Sequence, residues 1–289
     1  MPPPVVLIVG SLHYDIMVEA PHLPRKDETA VGTRWFPKFG GKGGNQALAV
    51  VRAGGHSRMF GAIGHDDFGL YMRAALKVGG VQDDFVATLP SVTSGISVAI
   101  VDAQGDYAAT IVSGANLHIN AAALQDDAVW QDVALLVLQN EVPEAVNIAA
   151  ALQARARGIR TVLNAAPTRA LATDLIALVD LLIVNAVEAE MMGANTVCCL
   201  HSAADAARHL AAKFESVIVT AGSKGLAAVA PDDTVLTLPA QKVVALSSHG
   251  AGDAFIGTLC SALVQGAALD QAATIASHAA ALHVSRPNA

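Results

Sequence analysis

Two rhythms of apolar and polar positions divide the chain. Val5 to Val9 is a short β-branched run that stops at Gly10-Ser11 and predicts a strand. From Asn45 to Ala53, small and apolar residues recur at helical spacing, and Gly54-Gly55 supplies a stop. "SRMFGAIG" then reads as another strand, whereas the residues from Glu19 to Gly32 are mixed and contain proline. "GISVAIVDAQGDYAATIVSG" has a different character: two β-rich runs flank the turn "DAQGD", the pattern of a hairpin.

After Asn120 strand and helix alternate. "VALLVLQNE" predicts a strand, "PEAVNIAAALQARARG" a helix, "IRTVLNAAP" a strand and "ATDLIALV" a helix. "DLLIVNAVEAE" runs from strand into helix, "SAADAARHLAAKF" is a helix, and "SVIVTAGSKG" is a strand with its turn. "LAAVAPDDTVLTLPA" forms a second hairpin-like stretch, and two alanine-rich helices follow. Continuous apolar strands between amphipathic helices imply an α/β fold with a parallel sheet covered on both faces. The early β segments do not fit this rhythm and predict a small separate β element. Ligands in such sheets bind beyond the carboxyl ends of the strands. Polar residues expected there include Asp15, Glu141, Asn164, Asn185, Glu188 and Gly222.

Composition narrows the setting. Of 289 residues 53% are hydrophobic, yet no apolar run reaches the roughly 18 residues of a membrane span. The first residues lack a basic segment followed by a long apolar one, so a cytoplasmic globular protein is expected. A net charge of −7 without a basic cluster argues against nucleic acid as the main partner. Three cysteines, two of them adjacent, give neither a disulfide framework nor a zinc pattern, and ten histidines are scattered without metal-ligand spacing.

Chemistry concentrates in glycine-rich turns. In "HGAGD", Gly250, Ala251 and Gly252 precede Asp253 at the mouth of a helix. Backbone amides there attract an anion, the small residues let it approach, and the carboxylate can accept a proton from a hydroxyl. The same pattern also fits a tight turn in which Asp253 satisfies first-turn amides. "FGGKGGNQA" is a second glycine turn entering a helix. It is not a P-loop, and Lys42 and Asn45 suit the hydroxyls of a polar substrate as well as the turn suits close packing. "TAGSKG" offers free amides after a strand, and Glu188 of "NAVE" suits a hydrated magnesium ion or an ordinary first-turn role.

Taken in order, these segments resemble the ribokinase family of ATP-dependent sugar and nucleoside kinases. The likeness is carried by "VGSLHYD", "GGKGGNQALAVVRAGG", "AIGHDDFG", "LQNEVP", "LNAAP", "NAVEAE", "TAGSKG" and "HGAGDAFIG", across nearly the whole chain. The GGKGxN form is typical of ribokinases proper. The resemblance implies a three-layer α/β sandwich in which residues 1–289 form one kinase domain. Segments near 12–38 and 93–114 would form a β lid that doubles as a homodimer contact. It implies that Asp253 is the base and that Gly250, Ala251, Gly252 and the Asp253 amide form an anion hole. His13, Asp15, Gly41, Lys42, Asn45 and Glu141 match sugar-binding positions. Asn185, Thr220, Gly222 and Gly225 match nucleotide-binding positions, and Glu188 a magnesium position.

Two departures matter. His13 stands where the family usually has asparagine, which leaves the exact furanose open. Ser247 in "ALSSHGAGD" replaces an acid linked to a monovalent-cation site, and the chain stops at "VSRPNA", so little potassium activation is expected. His249, just before the anion hole, reads as a loop residue or as a phosphate contact. The expected activity is ATP-dependent phosphorylation of a small sugar, with ribose leading. A nucleoside kinase and a non-catalytic sensor on the same fold are the alternatives. A phosphosugar kinase lacks an evident extra basic residue. A dinucleotide oxidoreductase is disfavoured because the first strand ends in "GSLHYD" and not G-x-G-x-x-G.

Overall fold

The computed structural model describes residues 2–104, 106–246 and 249–286. Its elements are β1 (Val5–Val9), β2 (His13–Glu19), β3 (Arg34–Gly40), α1 (Lys42–Arg52), β4 (His56–Gly64), α2 (Asp67–Val78), β5 (Gln82–Leu89), β6 (Ile96–Val101) and β7 (Tyr107–Val112). Three short 3₁₀ turns between Gly114 and Trp130 lead to β8 (Val133–Gln139), α3 (Glu144–Ala156), β9 (Arg160–Asn164), α4 (Thr173–Ile176), β10 (Leu181–Asn185) and α5 (Ala186–Met191). The chain continues through α6 (Leu200–Ala211), β11 (Ser216–Thr220), β12 (Gly225–Val229), β13 (Val235–Pro239), α7 (Ala251–Val264) and α8 (Leu269–Val284).

Among the described residues, nine strands form one sheet in the order β13-β12-β11-β10-β9-β8-β1-β4-β5. The seven strands from β11 across to β5 run parallel to one another, and the β12–β13 hairpin adds two antiparallel strands at one edge. The alternation of β1 shows why helices cover both faces. Val5, Leu7 and Val9 join the core with α3 and α6, whereas Val6 and Ile8 join the core with α1, α2, α7 and α8. Every residue of β1 is buried, and each such aliphatic side chain contributes about 1.5–3 kcal/mol by leaving water.

A second sheet, ordered β3-β2-β6-β7, stands apart from the first. It is mixed: β2 pairs antiparallel with β3 but parallel with β6, and β6 turns back on β7. Its strands lie in the two segments expected for the β lid, near 12–38 and 93–114, except that β3 runs two residues past the first, to Gly40. Two expectations need adjustment. Only Thr173–Ile176 of the stretch 172–179 is helical, because Asp180 and β10 follow at once and Asp180 is tied to the Thr161 amide at 2.6 Å. Asp15 is not a residue after a strand; it is the third residue of β2.

Among the described residues, no helix is long and apolar enough to cross a membrane.

Candidate active site

Parallel strands end on one edge, so β1, β8, β9, β10 and β11 deliver Ser11, Glu141, Asn164, Asn185 and Thr220 to the same side of the sheet. Of the helices that start at this edge, α1 and α7 differ in how their first-turn amides are used. At α1, the Lys42 amide donates to Glu141 Oε2 at 2.8 Å. The Gly43 amide donates to Ser11 Oγ at 3.4 Å and the Gly44 amide to the Ser11 carbonyl at 3.0 Å. Ser11 Oγ in turn donates to Glu141 Oε2. Gly43 is required by this closeness, since a Cβ there would sit 2.7 Å from the Ser11 nitrogen. The start of α1 is therefore closed by protein groups.

The start of α7 is open. Gly250 takes the left-handed conformation that lets the chain enter the helix, with φ 77°, and no side chain caps the first turn among the described residues. The amides of Ala251, Gly252 and Asp253 thus lack intrahelical acceptors and carry the positive end of the helix dipole. Gly252 is exposed, and a Cβ there would meet nothing within 4 Å. An anion has both room and donors at this point.

Asp253 lies in that turn, 9% exposed. Gln46 Nε2 donates to its Oδ1 at 2.9 Å and Asn45 Nδ2 to its Oδ2 at 3.3 Å. Burial pushes its pKa up to about 6, with Glu141 adding to the rise and Lys42, Gln46 and Asn45 opposing it. A carboxylate poised near neutral pH with two fixed donors can take a proton from a bound hydroxyl.

The positions expected to face a sugar gather around this point. Asp15 is buried on β2, and Ser97 Oγ donates to its Oδ1 at 2.6 Å. The nearby His13 is 3% exposed, and its Nε2 is buried with no hydrogen-bond partner among the described residues. Gly41, Lys42 and Asn45 form the turn into α1. A cavity of about 680 Å³ opens beside Asp253, lined at this end by Lys38, Phe39, Asn45, His249 and Gly250. It extends between α1, α7 and α8, and His13, Asp15 and Glu141 are outside its lining among the described residues. His249 is exposed, and its carbonyl accepts from His283 Nε2 at 2.9 Å.

The positions expected to face a nucleotide form a second group. Asn185 caps α5: its Oδ1 accepts from the Glu188 amide and its own amide donates to Glu188 Oε2, both at 2.8 Å. Burial raises the Glu188 pKa, opposed by the Asn185 amide and the charge of Lys42. Lys42 therefore acts on both Glu188 and Asp253, and links the two groups. Thr220 ends β11 and its Oγ1 reaches the Val184 carbonyl at 3.4 Å. Gly222 and Gly225 frame the turn into β12, both with positive φ. Ser247 and the residues beyond Arg286 lie outside the described residues.

Sequence reasoning missed three contributors: Ser11, Gln46 and Gln139. Gln46 and Gln139 are both buried, and Gln139 Nε2 donates to Gln46 Oε1 at 2.7 Å. Their one signal was a polar amide on an otherwise apolar face.

The buried carboxylate, the open helix start and the parallel sheet define a small-molecule phosphotransferase. The family model described as pfkB family carbohydrate kinase matches residues 5–289, and the chain belongs to that family. A ribokinase of Haemophilus influenzae is 30% identical over 285 residues, spanning 98% of this chain and 92% of the relative. A ribokinase of Bacillus subtilis is 31% identical over 280 residues, spanning 96% and 92%. The structure of an Arabidopsis thaliana ribokinase complexed with ribose and ATP superposes with a TM-score of 0.91 at 26% identity, covering 100% of this chain and 95% of that one. The expected family and fold are borne out.

Proposed function

We propose that this carbohydrate kinase transfers the γ-phosphoryl group of ATP to a hydroxyl of a small furanose, with ribose the leading acceptor. The observation that carries the reading is the α7 start, where amides with no side-chain cap among the described residues and a buried carboxylate share one turn. Asp253 takes the proton as the sugar oxygen bonds to phosphorus and the bond to the ADP oxygen breaks. The amides of Ala251, Gly252 and Asp253, with Gly250 clearing the approach, balance the charge on the transferring group. His13, Asp15, Gly41, Lys42, Asn45 and Glu141 orient the acceptor. The His13 Nε2, buried without a partner among the described residues, supports a polar ligand there. Asn185, Thr220, Gly222 and Gly225 hold the nucleotide.

Glu188 fits a magnesium site of the kind that keeps most of its waters and uses one carboxylate. Only its Oε2 is engaged by a protein donor among the described residues, and no group of three or more His, Cys, Asp or Glu side chains suited to a metal occurs among them. Bound there with the nucleotide, the ion would neutralise phosphate charge. Ser247 in place of an acid supports weak dependence on a monovalent cation.

The whole chain acts as one domain, with β2, β3, β6 and β7 as a lid that excludes water from the transfer. Trp35, Ile111 and Val112 leave apolar surface on that sheet at 64%, 56% and 50% exposure, which supports a homodimer through the lid. The ribokinase relatives and the lack of a membrane-crossing helix among the described residues are compatible with a cytoplasmic setting.

Magnesium-ATP with a panel of pentoses, hexoses and nucleosides, with products identified by mass spectrometry, tests the reading. A phosphorylated pentose as the fastest product supports it. A phosphorylated nucleoside as the fastest product would move the acceptor assignment, and no product with any acceptor would overturn the activity.

A further inference from the structure

We infer that Gln46 is a positioning residue for Asp253, and that Gln139 acts through it by fixing which end of its amide faces the carboxylate. The inference rests on the reading of Asp253 as the base. Three elements meet in this contact: Gln46 is on α1, Gln139 ends β8, and Asp253 is on α7. Both amides are buried, Gln46 to 1% and Gln139 to 0% exposure.

A glutamine amide can turn end for end with little change of shape, presenting either a donor or an acceptor. Only the donor is useful against a carboxylate. Here Gln139 Nε2 donates to Gln46 Oε1 at 2.7 Å, which commits the opposite end of Gln46 to donate. Gln46 Nε2 then serves Asp253 Oδ1 at 2.9 Å and Asn164 Oδ1 at 3.2 Å, using both of its hydrogens. Asn164 Nδ2 donates to the Ile183 carbonyl at 3.3 Å, so its oxygen is committed to accept. The Gln139 backbone is anchored, because β8 lies between β1 and β9 and its carbonyl accepts from Asn147 Nδ2 at 2.8 Å. Its side-chain Oε1 is buried with no partner among the described residues, so its Nε2 bond to Gln46 is what orients that amide. The bonds of this relay thus leave the Gln46 amide one workable orientation.

The consequence falls on the base. Donors on both oxygens favour the ionised carboxylate and hold its plane, leaving its remaining lone pairs for a substrate proton. The charged groups acting on Asp253 are Lys42, which favours ionisation, and Glu141, which opposes it. Without the Gln46 donor, burial and Glu141 are opposed only by Lys42 and Asn45. A larger share of the enzyme then carries a protonated, inactive base at a given pH. Gln139 lines neither the cavity nor the carboxylate among the described residues, so its effect must pass through Gln46.

The test is a set of pH profiles of kcat and kcat/KM for Gln46→Met, Gln139→Met and the double variant, beside Asp253→Asn. Gln46→Met is expected to lower kcat about tenfold or more, with sugar KM little changed, and to move the acid limb of kcat/KM to higher pH. Gln139→Met is expected to move the same limb in the same direction by less. The double variant is expected to match Gln46→Met alone, since the two act in series. If Gln46→Met does not fold, Gln139→Glu, which keeps the shape but replaces the amide donor, must still move the limb. Acid limbs at the wild-type position in folded variants, or fully additive losses, overturn the relay. If Asp253→Asn keeps turnover, the base assignment fails instead, which separates the two readings.

Discussion

The backbone amide of Lys42 donates to the Glu141 carboxylate at 2.8 Å, joining positions 99 residues apart. That bond and the Ser11 hydroxyl bond to the same oxygen close the start of α1 and fix the glycine turn that carries Lys42 and Asn45. Glu141→Ala leaves the half-buried Lys42 amide and the buried Ser11 hydroxyl without their acceptor. A loss of about 1–3 kcal/mol in stability is expected, together with a raised sugar KM. Glu141→Gln keeps an acceptor and should retain most of the stability. Thermal melts and steady-state kinetics of the two variants check this.

Gly252→Ala separates space for phosphate from space for the fold. A Cβ at Gly252 meets nothing within 4 Å, and alanine is about 1 kcal/mol better than glycine inside a helix. The melting temperature should hold or rise. Turnover should fall if the proposed anion hole is right, because the methyl would stand where the transferring group approaches the open amides. A variant with normal kcat would remove the anion hole from this turn.

The pH dependence follows from Asp253. Its carboxyl titrates near 6 in the folded chain against an ordinary 3.8. A base must be ionised, so kcat/KM is expected to fall as pH drops through about 6. Stability runs the other way. Between the two values the folded chain holds a proton that the unfolded chain has released, so the fold loses stability as pH rises through that window. At neutral pH the ionised carboxylate costs the fold on the order of a few kcal/mol, since each tenfold change in proton affinity is worth about 1.4 kcal/mol. Asp253→Asn should therefore melt above the wild type at pH 7.5, with the gap closing toward pH 4. A variant that melts lower at pH 7.5 would contradict the burial cost.

His13 is the expected specificity handle. Its Nε2 is buried and unpartnered among the described residues, so His13→Ala removes a costly orphan from the fold and, on the proposed reading, a contact from the sugar. Stability should stay level or rise while sugar KM increases about tenfold. Unchanged KM for every accepted sugar would take His13 out of the acceptor site.

Ser247 leads to the simplest comparison. Turnover in potassium, sodium and Tris buffers of matched ionic strength should agree. Strong activation by potassium would show that other groups supply the cation site.

Much of this was legible in the sequence, for physical reasons. β1 is wholly buried, so its apolar run declares itself, and its expected bounds match those observed. The later strand and helix alternation was equally plain. The region from α2 to β5 was not. In α2 the buried Met72 and Leu76 share the helix with Leu70 at 63% and Val78 at 91% exposure, which blurs the stripe. In β5 the buried Asp83 looks like a loop residue, but Arg73 pairs with it at 2.8 Å and lets it enter the sheet. Helix α6 starts at Leu200, capped by Cys199, a residue that seldom signals a helix start. In the site, motif glycines and acids were readable because each answers a local backbone demand. Gln46 and Gln139 answer to each other across 93 positions, and no local pattern encodes that contact.

The most direct measurement is ADP release from magnesium-ATP in the presence of ribose, for the wild type and for Asp253→Asn at pH 7.5. Ribose-dependent release by the wild type and a loss of at least about 10²-fold in the variant, with ATP still bound, is the predicted result. Equal release by the two proteins would contradict the account at its centre.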